Sequence, residues 1–149
     1  SDSNIKNSMK KMRLKGRLEE IKSGKLKNLI GENRLIIDGG HNINSAISIS
    51  NWVKQQNEKV HLICGMMNDK PHKEFVNQFE NSVNSITLID IPNQEGSISK
   101  EEFKKKLGNK NINTAESIEE SLLMNNKDKN CIFLCAGSLY LAGEVLNLN

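Results

Sequence analysis

Four short segments contain the side chains best suited to chemistry: DGGHN at residues 38–42, GMMNDK at 65–70, DIPNQEG at 90–96 and AGSLY at 136–140. In the first segment, Asp38 can accept hydrogen bonds from a ribose or a donor side chain, and the glycines beside it allow a sharp turn. His41 stands where a helix is predicted to begin. An imidazole next to free helix N–H groups favours a carboxylate or a phosphate. The AGSLY turn repeats this pattern with Gly137 and Ser138, so the two turns together predict a site for an anionic ligand.

These side chains also have purely structural interpretations, which stay open at this point. Asp38 before glycine is typical of an Asx-turn that caps the following helix. Ser138 is typical of a helix N-cap, and Asp69 with Lys70 is typical of a solvated turn. The chain has no P-loop, no nucleophile elbow, no C-x-x-C pair and no H-E-x-x-H sequence. It therefore lacks a triphosphate site of the usual kind, and its loops are typical of half an active site.

The elements that must position these loops are strands followed by helices. Each predicted strand is a short and nearly continuous apolar run: RLIID at 34–38, VHLIC at 60–64, ITLID at 86–90 and CIFLC at 131–135. Continuous apolar runs are typical of strands that are covered on both faces. The pattern therefore predicts an α/β three-layer sandwich, with a mostly parallel Rossmann-like sheet and helices on both faces. In such a sheet the carboxyl ends of the strands share one edge, where ligands bind.

The predicted helices lie between these strands. Apolar periodicity predicts helices over 43–55, 72–83 and 138–147. Two S-x-x-E capping boxes, Ser99 with Glu102 and Ser117 with Glu120, predict two more helix starts. The segments GRLEEI at 16–21 and LKNLIG at 26–31 are predicted to add edge strands, which could be antiparallel.

Length, charge and composition exclude several classes of protein. A chain of 149 residues is long enough for one domain with a core. Its net charge of +3 is spread along the chain, so a nucleic-acid partner is not expected. No apolar run of about 18 residues and no hydrophobic leader is present, so we expect a cytoplasmic protein with no membrane partner. Residues 1–15 are predicted to be a flexible arm or an interdomain linker remnant, and residues 16–149 a single domain.

Three cysteines, Cys64, Cys131 and Cys135, lie within or at the ends of apolar strands. A metal pair at Cys131 and Cys135 would lack the two further ligands that zinc requires. We therefore predict buried free thiols and no metal ligand in this chain.

Four blocks of the sequence resemble the C-terminal domain of the folylpolyglutamate synthase and dihydrofolate synthase family, a branch of the Mur ligase superfamily. The blocks are GRLEEI, LIIDGGHN, GMMNDKP and CAGSLYLAGEVL, which occur in the family's order. The resemblance implies an ATP-dependent amide ligase, in which a pterin or folate carboxylate becomes an acyl phosphate that L-glutamate then attacks. It also implies that an N-terminal domain holds the P-loop and the Mg²⁺ ligands, while this C-terminal domain closes over the nucleotide and helps to bind glutamate. The chain alone is then expected to be inactive and monomeric.

The resemblance also implies roles for individual residues. Arg17 matches the arginine that reaches the ATP phosphates, and Asp38 matches the acid that contacts the nucleotide ribose or orders the site around it. His41 and Ser138 match positions associated with glutamate. The supporting positions implied by the motifs are Gly39, Gly40, Asn42, Asp69, Lys70 and Gly137.

This sequence departs from the family pattern at several positions. Leu14 and Lys15 replace the usual Trp-Pro, Gly40 replaces the usual Ala, and Ile43 replaces the usual Pro or His. None of these changes removes a charged or hydrogen-bonding group from the expected site. Two alternatives stay open: the C-terminal domain of a muropeptide ligase, and a non-catalytic module that binds a nucleotide or an amino acid.

Overall fold

The computed structural model describes residues 18–108 and 111–149, within which six strands alternate with six helices. The strands are β1 (Glu19–Ile21), β2 (Arg34–Ile37), β3 (Lys59–Cys64), β4 (Ser85–Leu88), β5 (Ile112–Thr114) and β6 (Cys131–Ala136). The helices are α1 (Lys25–Ile30), α2 (Ile43–Lys54), α3 (His72–Asn77), α4 (Lys100–Lys106), α5 (Ile118–Met124) and α6 (Leu139–Leu148).

The strands form one sheet in the order β1-β2-β6-β3-β4-β5. Strand β1 pairs antiparallel with β2, whereas every other neighbouring pair is parallel. The mostly parallel sheet and the antiparallel edge strand within GRLEEI are therefore confirmed. Because β6 lies between β2 and β3, the last strand of the chain occupies the centre of the sheet.

Each face of the sheet is covered by three helices. Alternate side chains of β6 point to opposite faces, so that Leu134 and Phe133 belong to two separate apolar clusters. The cluster of Leu134 includes residues of α2, α3 and α4, and the cluster of Phe133 includes residues of α1, α5 and α6. This arrangement confirms the three-layer sandwich and explains why the strand sequences are apolar at nearly every position.

Both capping boxes mark helix starts, as predicted. The Ser99 hydroxyl accepts a hydrogen bond from the Glu102 N–H at 3.2 Å, and the Ser117 hydroxyl accepts one from the Glu120 N–H at 3.0 Å. All three cysteines are buried and outside any disulfide, as the sequence predicts.

The predicted edge strand LKNLIG is wrong, because this segment forms helix α1. Its apolar residues Leu26, Leu29 and Ile30 follow the i, i+3, i+4 spacing of a helix face, which packs against the Phe133 side of the sheet. Two further differences concern α3, which ends at Asn77, and β5, which the sequence did not predict. Strand β5 is only three residues long, and its register depends on its pairing with β4.

Candidate functional site

The topology places a crevice beside the carboxyl end of β6. Strands β2 and β3 flank β6, and they lead into α2 and α3 on one face of the sheet, whereas β6 leads into α6 on the other face. The loop after β6 therefore leaves the sheet in the opposite direction from the loops after β2 and β3. Such a switch of direction opens a crevice in which ligands of parallel α/β sheets bind.

The loop after β2 is organised by the carboxylate of Asp38. This side chain is fully buried, and its Oδ1 accepts a hydrogen bond from the Gly40 N–H at 2.7 Å. Its Oδ2 accepts one from the Leu18 N–H at 3.2 Å, which ties the start of the described chain to the loop. The Asx-turn interpretation is therefore present in the structure. A buried carboxylate in this position shapes the loop rather than projecting into the crevice.

The remaining residues of this loop support α2 and leave no space for larger side chains. The Asn42 carboxamide caps α2 by accepting a hydrogen bond from the Ser45 N–H at 2.8 Å. A methyl group added at Gly40 would lie 2.5 Å from the Ser45 Cβ. This clash explains why glycine stands here instead of the alanine that is usual at the matching position. Only a weak contact of 3.4 Å links the His41 Nδ1 to the Gly39 carbonyl oxygen, and the half-buried ring faces the crevice.

The loop after β6 packs directly against the neighbouring loops. Gly137 has a φ of +118°, and a methyl group there would lie 2.7 Å from the Gly65 carbonyl oxygen. On the other side, a methyl group at Gly39 would lie 2.9 Å from Leu139 Cδ1. The segment after β6 therefore touches the loops after both β2 and β3, and a glycine stands at each point of contact.

A cavity of about 150 Å³ opens where these loops meet. Its lining residues are His41, Met67, Lys70, Gly137, Ser138, Leu139 and Tyr140. Ligand sites for drug-sized molecules span roughly 300–1,000 Å³, so this cavity suits a small molecule or one end of a larger one. Lys70 supplies a positive charge, and its nearest acid within the described residues, Asp69, is 4.0 Å away and largely exposed.

The amino end of α6 adds backbone donors to this cavity. Ser138 is its N-cap, and the buried hydroxyl accepts a hydrogen bond from the Tyr140 N–H at 3.0 Å. The dipole of a ten-residue helix and its remaining free N–H groups favour an anion at this end. The cavity therefore combines a cation, helix N–H donors and apolar walls, a set that suits a small carboxylate.

The cysteines beside the cavity are not nucleophiles. Cys64 is the last residue of β3 and Cys135 the next-to-last residue of β6, and both thiols are fully buried. Burial raises the pKa of Cys64 far above its usual range and that of Cys135 to about 12. Neither cysteine lines the cavity.

The structure brings together four of the residues predicted from the sequence, namely His41, Lys70, Gly137 and Ser138. Asp38, Gly39, Gly40 and Asn42 shape the loop next to the cavity without lining it. Asp69 is exposed, and Arg17 lies outside the described residues. The assignment of individual residues to ATP or to glutamate stays a prediction.

Sequence reasoning missed three residues of the cavity wall, Met67, Leu139 and Tyr140. All three lie inside loops that the sequence assigned to this edge. Apolar side chains carry no chemical signal by themselves, so only the contact between loops identifies them. Tyr140, the single tyrosine of the chain, could have been noticed because it stands two residues after the predicted N-cap.

The described residues contain neither a metal-ligand cluster nor a helix that could span a membrane. Across 18–108 and 111–149, no three His, Cys, Asp or Glu side chains converge as a metal site would require. Over the same ranges, every helix is too short or too polar to cross a membrane.

Comparison with solved structures shows the same fold in folylpolyglutamate synthases. The chain superimposes on bifunctional folylpolyglutamate synthase/dihydrofolate synthase from Yersinia pestis CO92 with a TM-score of 0.71 and 18% identity. It superimposes on folylpolyglutamate synthase from Mycobacterium tuberculosis, complexed with ADP and AMPPCP, with a TM-score of 0.73 and 17% identity. A Yersinia pestis structure with Mn, AMPPNP and L-glutamate bound gives a TM-score of 0.68 and 18% identity.

These matches cover 89% of this chain but only 30–31% of the solved chains. At such low identity they show the fold alone. A search among curated proteins found no significant match.

The sequence itself matches one family over most of its length. The family described as Mur ligase, glutamate ligase domain, matches residues 16–139. This range begins at the GRLEEI block and includes every residue that lines the cavity except Tyr140. The chain therefore belongs to the Mur ligase family of glutamate ligase domains.

Proposed function

We propose that this chain is the amino-acid-binding domain of an ATP-dependent ligase that adds L-glutamate to dihydropteroate or a folate. One observation carries the proposal: Lys70, His41 and the amino end of α6 meet in a small cavity at the switch of the sheet. In a member of a glutamate ligase domain family, such a combination of groups suits the binding of glutamate. The Yersinia pestis structure with L-glutamate bound has the same fold and supports the choice of amino acid.

The groups around the cavity suit the two carboxylates of glutamate. The Lys70 ammonium group can pair with one carboxylate, and the free N–H groups of α6 can donate to one as well. His41 stands across the cavity from α6 and can donate a further hydrogen bond. Held in this way, the amino group of glutamate can be aimed out of the cavity at an acyl phosphate, and positioning of this kind lowers the barrier to attack.

The residues around the crevice also fit a nucleotide at its rim. When bound, ATP supplies the phosphoryl group that activates the acceptor carboxylate. The family motif allows two roles for Asp38, namely contact with the nucleotide ribose or ordering of the site around it. We assign the second role to Asp38, because its buried carboxylate accepts hydrogen bonds from the Gly40 and Leu18 N–H groups. We assign Arg17 to the ATP phosphates on the motif alone. We assign no Mg²⁺ ligand to the described residues and place those ligands in a P-loop domain.

A P-loop domain is the partner that this proposal requires. The reaction takes place where that domain closes over the crevice, which excludes water from the acyl phosphate. The cytoplasmic location and the monomeric state stay predictions. We expect the 149-residue chain, incubated with ATP, a folate and L-glutamate, to release no phosphate above background. Turnover by the chain alone would contradict this.

Glutamate binding can be tested on the isolated chain by NMR titration. L-Glutamate should shift the amide signals of His41, Leu139 and Tyr140 weakly, and should leave Val83 and Asn84, at the opposite edge of the sheet, unchanged. Shifts confined to that opposite edge would contradict the site. Tight, saturable binding of ATP or glutamate by the chain alone would favour the non-catalytic module instead.

The reading frame that encodes the chain provides the decisive test. A P-loop sequence upstream in the same frame, and glutamate-dependent ATP consumption by the protein expressed from it, are the expected results.

In that protein, Lys70→Gln should raise the KM for glutamate at least about tenfold, since a hydrogen bond to a charged group is worth about 1.5–3 kcal/mol. Lys73→Gln, which changes an exposed lysine of α3, is the matched control and should leave the KM unchanged. Activity with a muropeptide precursor in place of a folate would assign the chain to the other ligase branch.

A further inference from the structure

A Ser-His-Asp arrangement lies at the opposite edge of the sheet from the candidate site. The Ser85 hydroxyl is 2.6 Å from His61 Nδ1, and His61 Nε2 is 2.7 Å from Asp128 Oδ2. Both distances are those of short hydrogen bonds. The three residues are far apart in the sequence, and the parallel pairing of β3 with β4 sets His61 directly opposite Ser85.

The hydrogen bonds define the protonation pattern of this cluster. A carboxylate at Nε2 favours the tautomer that carries its proton on Nε2, because that N–H donates to Asp128. Nδ1 is then the acceptor for the Ser85 O–H. The imidazole is therefore oriented as a base toward the serine, which is the relation that defines nucleophilic triads whatever their order in the chain.

Burial and neighbours also suit a reactive serine. His61 is 5% exposed, whereas Asp128 is 36% exposed and Ser85 is half-buried at the first position of β4. The Asn125 carboxamide Nδ2 is 3.5 Å from the Ser85 hydroxyl. That amide can donate to an oxyanion formed on a carbonyl carbon bonded to Ser85. Leu123 and Met124, which precede Asn125, are both exposed and apolar.

We propose that Ser85 is an activated nucleophile that accepts acyl groups from small activated esters. Ser85 Oγ bonds to the ester carbonyl carbon while its proton passes to His61 Nδ1. The ester C–O bond then breaks, and the leaving alcohol takes the proton from His61. Water, deprotonated by His61, attacks the acyl-serine and releases the carboxylic acid, which restores the starting state. This activity is independent of the proposed ligase function and uses neither ATP nor the crevice beside β6.

The test uses the full 149-residue chain and p-nitrophenyl acetate. We expect a burst of p-nitrophenolate and an acetyl group located on Ser85 by peptide mass spectrometry. Ser85→Ala should abolish both signals. Asp128→Asn should lower the acylation rate about 100-fold or more, because general-base assistance is worth roughly 10²–10⁴-fold. A cooperative unfolding transition establishes that each variant is folded.

Ser82→Ala provides the matched control. Ser82 is also half-buried, but its hydroxyl contacts the Phe79 carbonyl oxygen and the Ser50 hydroxyl rather than a histidine. This variant should acylate at the rate of the unchanged chain. The proposal is overturned if Ser85 carries no acetyl group, if Ser85→Ala still shows the burst, or if folded Asp128→Asn reacts at the original rate. Those outcomes would leave the cluster as a tether between the sheet and loop 125–130.

Discussion

At the scale of single residues, the residues with the clearest chemical signal in the sequence mostly build the site rather than line it. The Asp38 carboxylate holds two backbone N–H groups, and Ser138 caps a helix. Both roles set the positions of backbone atoms around the cavity. Substitution of Asp38 or Ser138 is therefore expected to disturb the conformation of the loops and to affect ligand contacts mainly through that change.

Gly137 is the residue on which the convergence of the loops depends most. Gly137→Ala should lower the free energy of unfolding by at least about 2 kcal/mol more than Gly108→Ala does. Both glycines have positive φ, which costs an alanine roughly 1–2 kcal/mol. At Gly137 a methyl group would also lie 2.7 Å from a backbone oxygen, whereas a methyl group at Gly108 would meet no atom of the described residues within 4 Å, its chain neighbours apart. Urea unfolding of the two variants checks the difference, and equal losses would contradict the packing argument.

At the scale of elements, helix α1 shows how a short segment gains its structure from a distant one. Gly24 provides no side-chain cap for α1. Instead, Asn149 Oδ1 accepts hydrogen bonds from the N–H groups of Leu26 and Lys27 at 3.0 and 3.3 Å. The residue that follows α6 therefore caps the amino end of α1, which fixes the two helices to each other on one face of the sheet.

Asn149→Ala should destabilise the chain by about 1 kcal/mol, the usual effect of removing an N-cap. Faster hydrogen exchange at the amides of Leu26 and Lys27, together with a lower urea midpoint, would show the loss. Asn147→Ala removes an exposed asparagine two residues earlier and is the control, with no expected change. The same destabilisation in both variants would mean that the cap contributes nothing specific.

At the scale of the whole molecule, one buried acid, Glu144, should contribute to the pH dependence of stability. Glu144 of α6 is 1% exposed, and within the described residues its Oε1 has no hydrogen-bond partner. Its other oxygen accepts only a long bond of 3.5 Å from Asn93. Burial therefore raises the pKa of Glu144 above its usual 4.5.

The raised pKa fixes the sign of the effect. The Glu144 carboxyl makes its full contribution to the free energy of unfolding below pH 4.5, where it is protonated in both the folded and the unfolded chain. This contribution is lost as the pH rises through the raised pKa of Glu144 in the folded chain. Glu144→Gln should therefore improve in stability relative to the unchanged chain between pH 4 and pH 7, by about 1.4 kcal/mol for each unit of the shift. Urea unfolding at the two pH values measures this change. Glu20 and Glu58, whose pKa values Arg34 lowers, act in the opposite direction and are unchanged in both proteins. A stability difference that does not vary with pH would contradict the prediction.

The sequence by itself determined the layered α/β fold, five of the six strands and the loops that meet at the carboxyl edge. Apolar runs, caps and glycine turns are local patterns, and local physics is enough to interpret them. The short segments GRLEEI and LKNLIG can each form a strand or a helix, depending on which spacing of apolar residues packs against another surface. The strand prediction for LKNLIG is wrong because its helical apolar face packs against the Phe133 side of the sheet, which the local sequence does not reveal.

Only the tertiary structure decided which residues share a space. It joined Lys70, His41 and Ser138 with the apolar wall of Met67, Leu139 and Tyr140. It buried Asp38, gave α1 its cap from Asn149, and set Ser85 beside His61 and Asp128. These contacts depend on the strand order, in which β6 enters between β2 and β3. Strand order is set by packing over the whole sheet, so it cannot be predicted from any single stretch of the sequence.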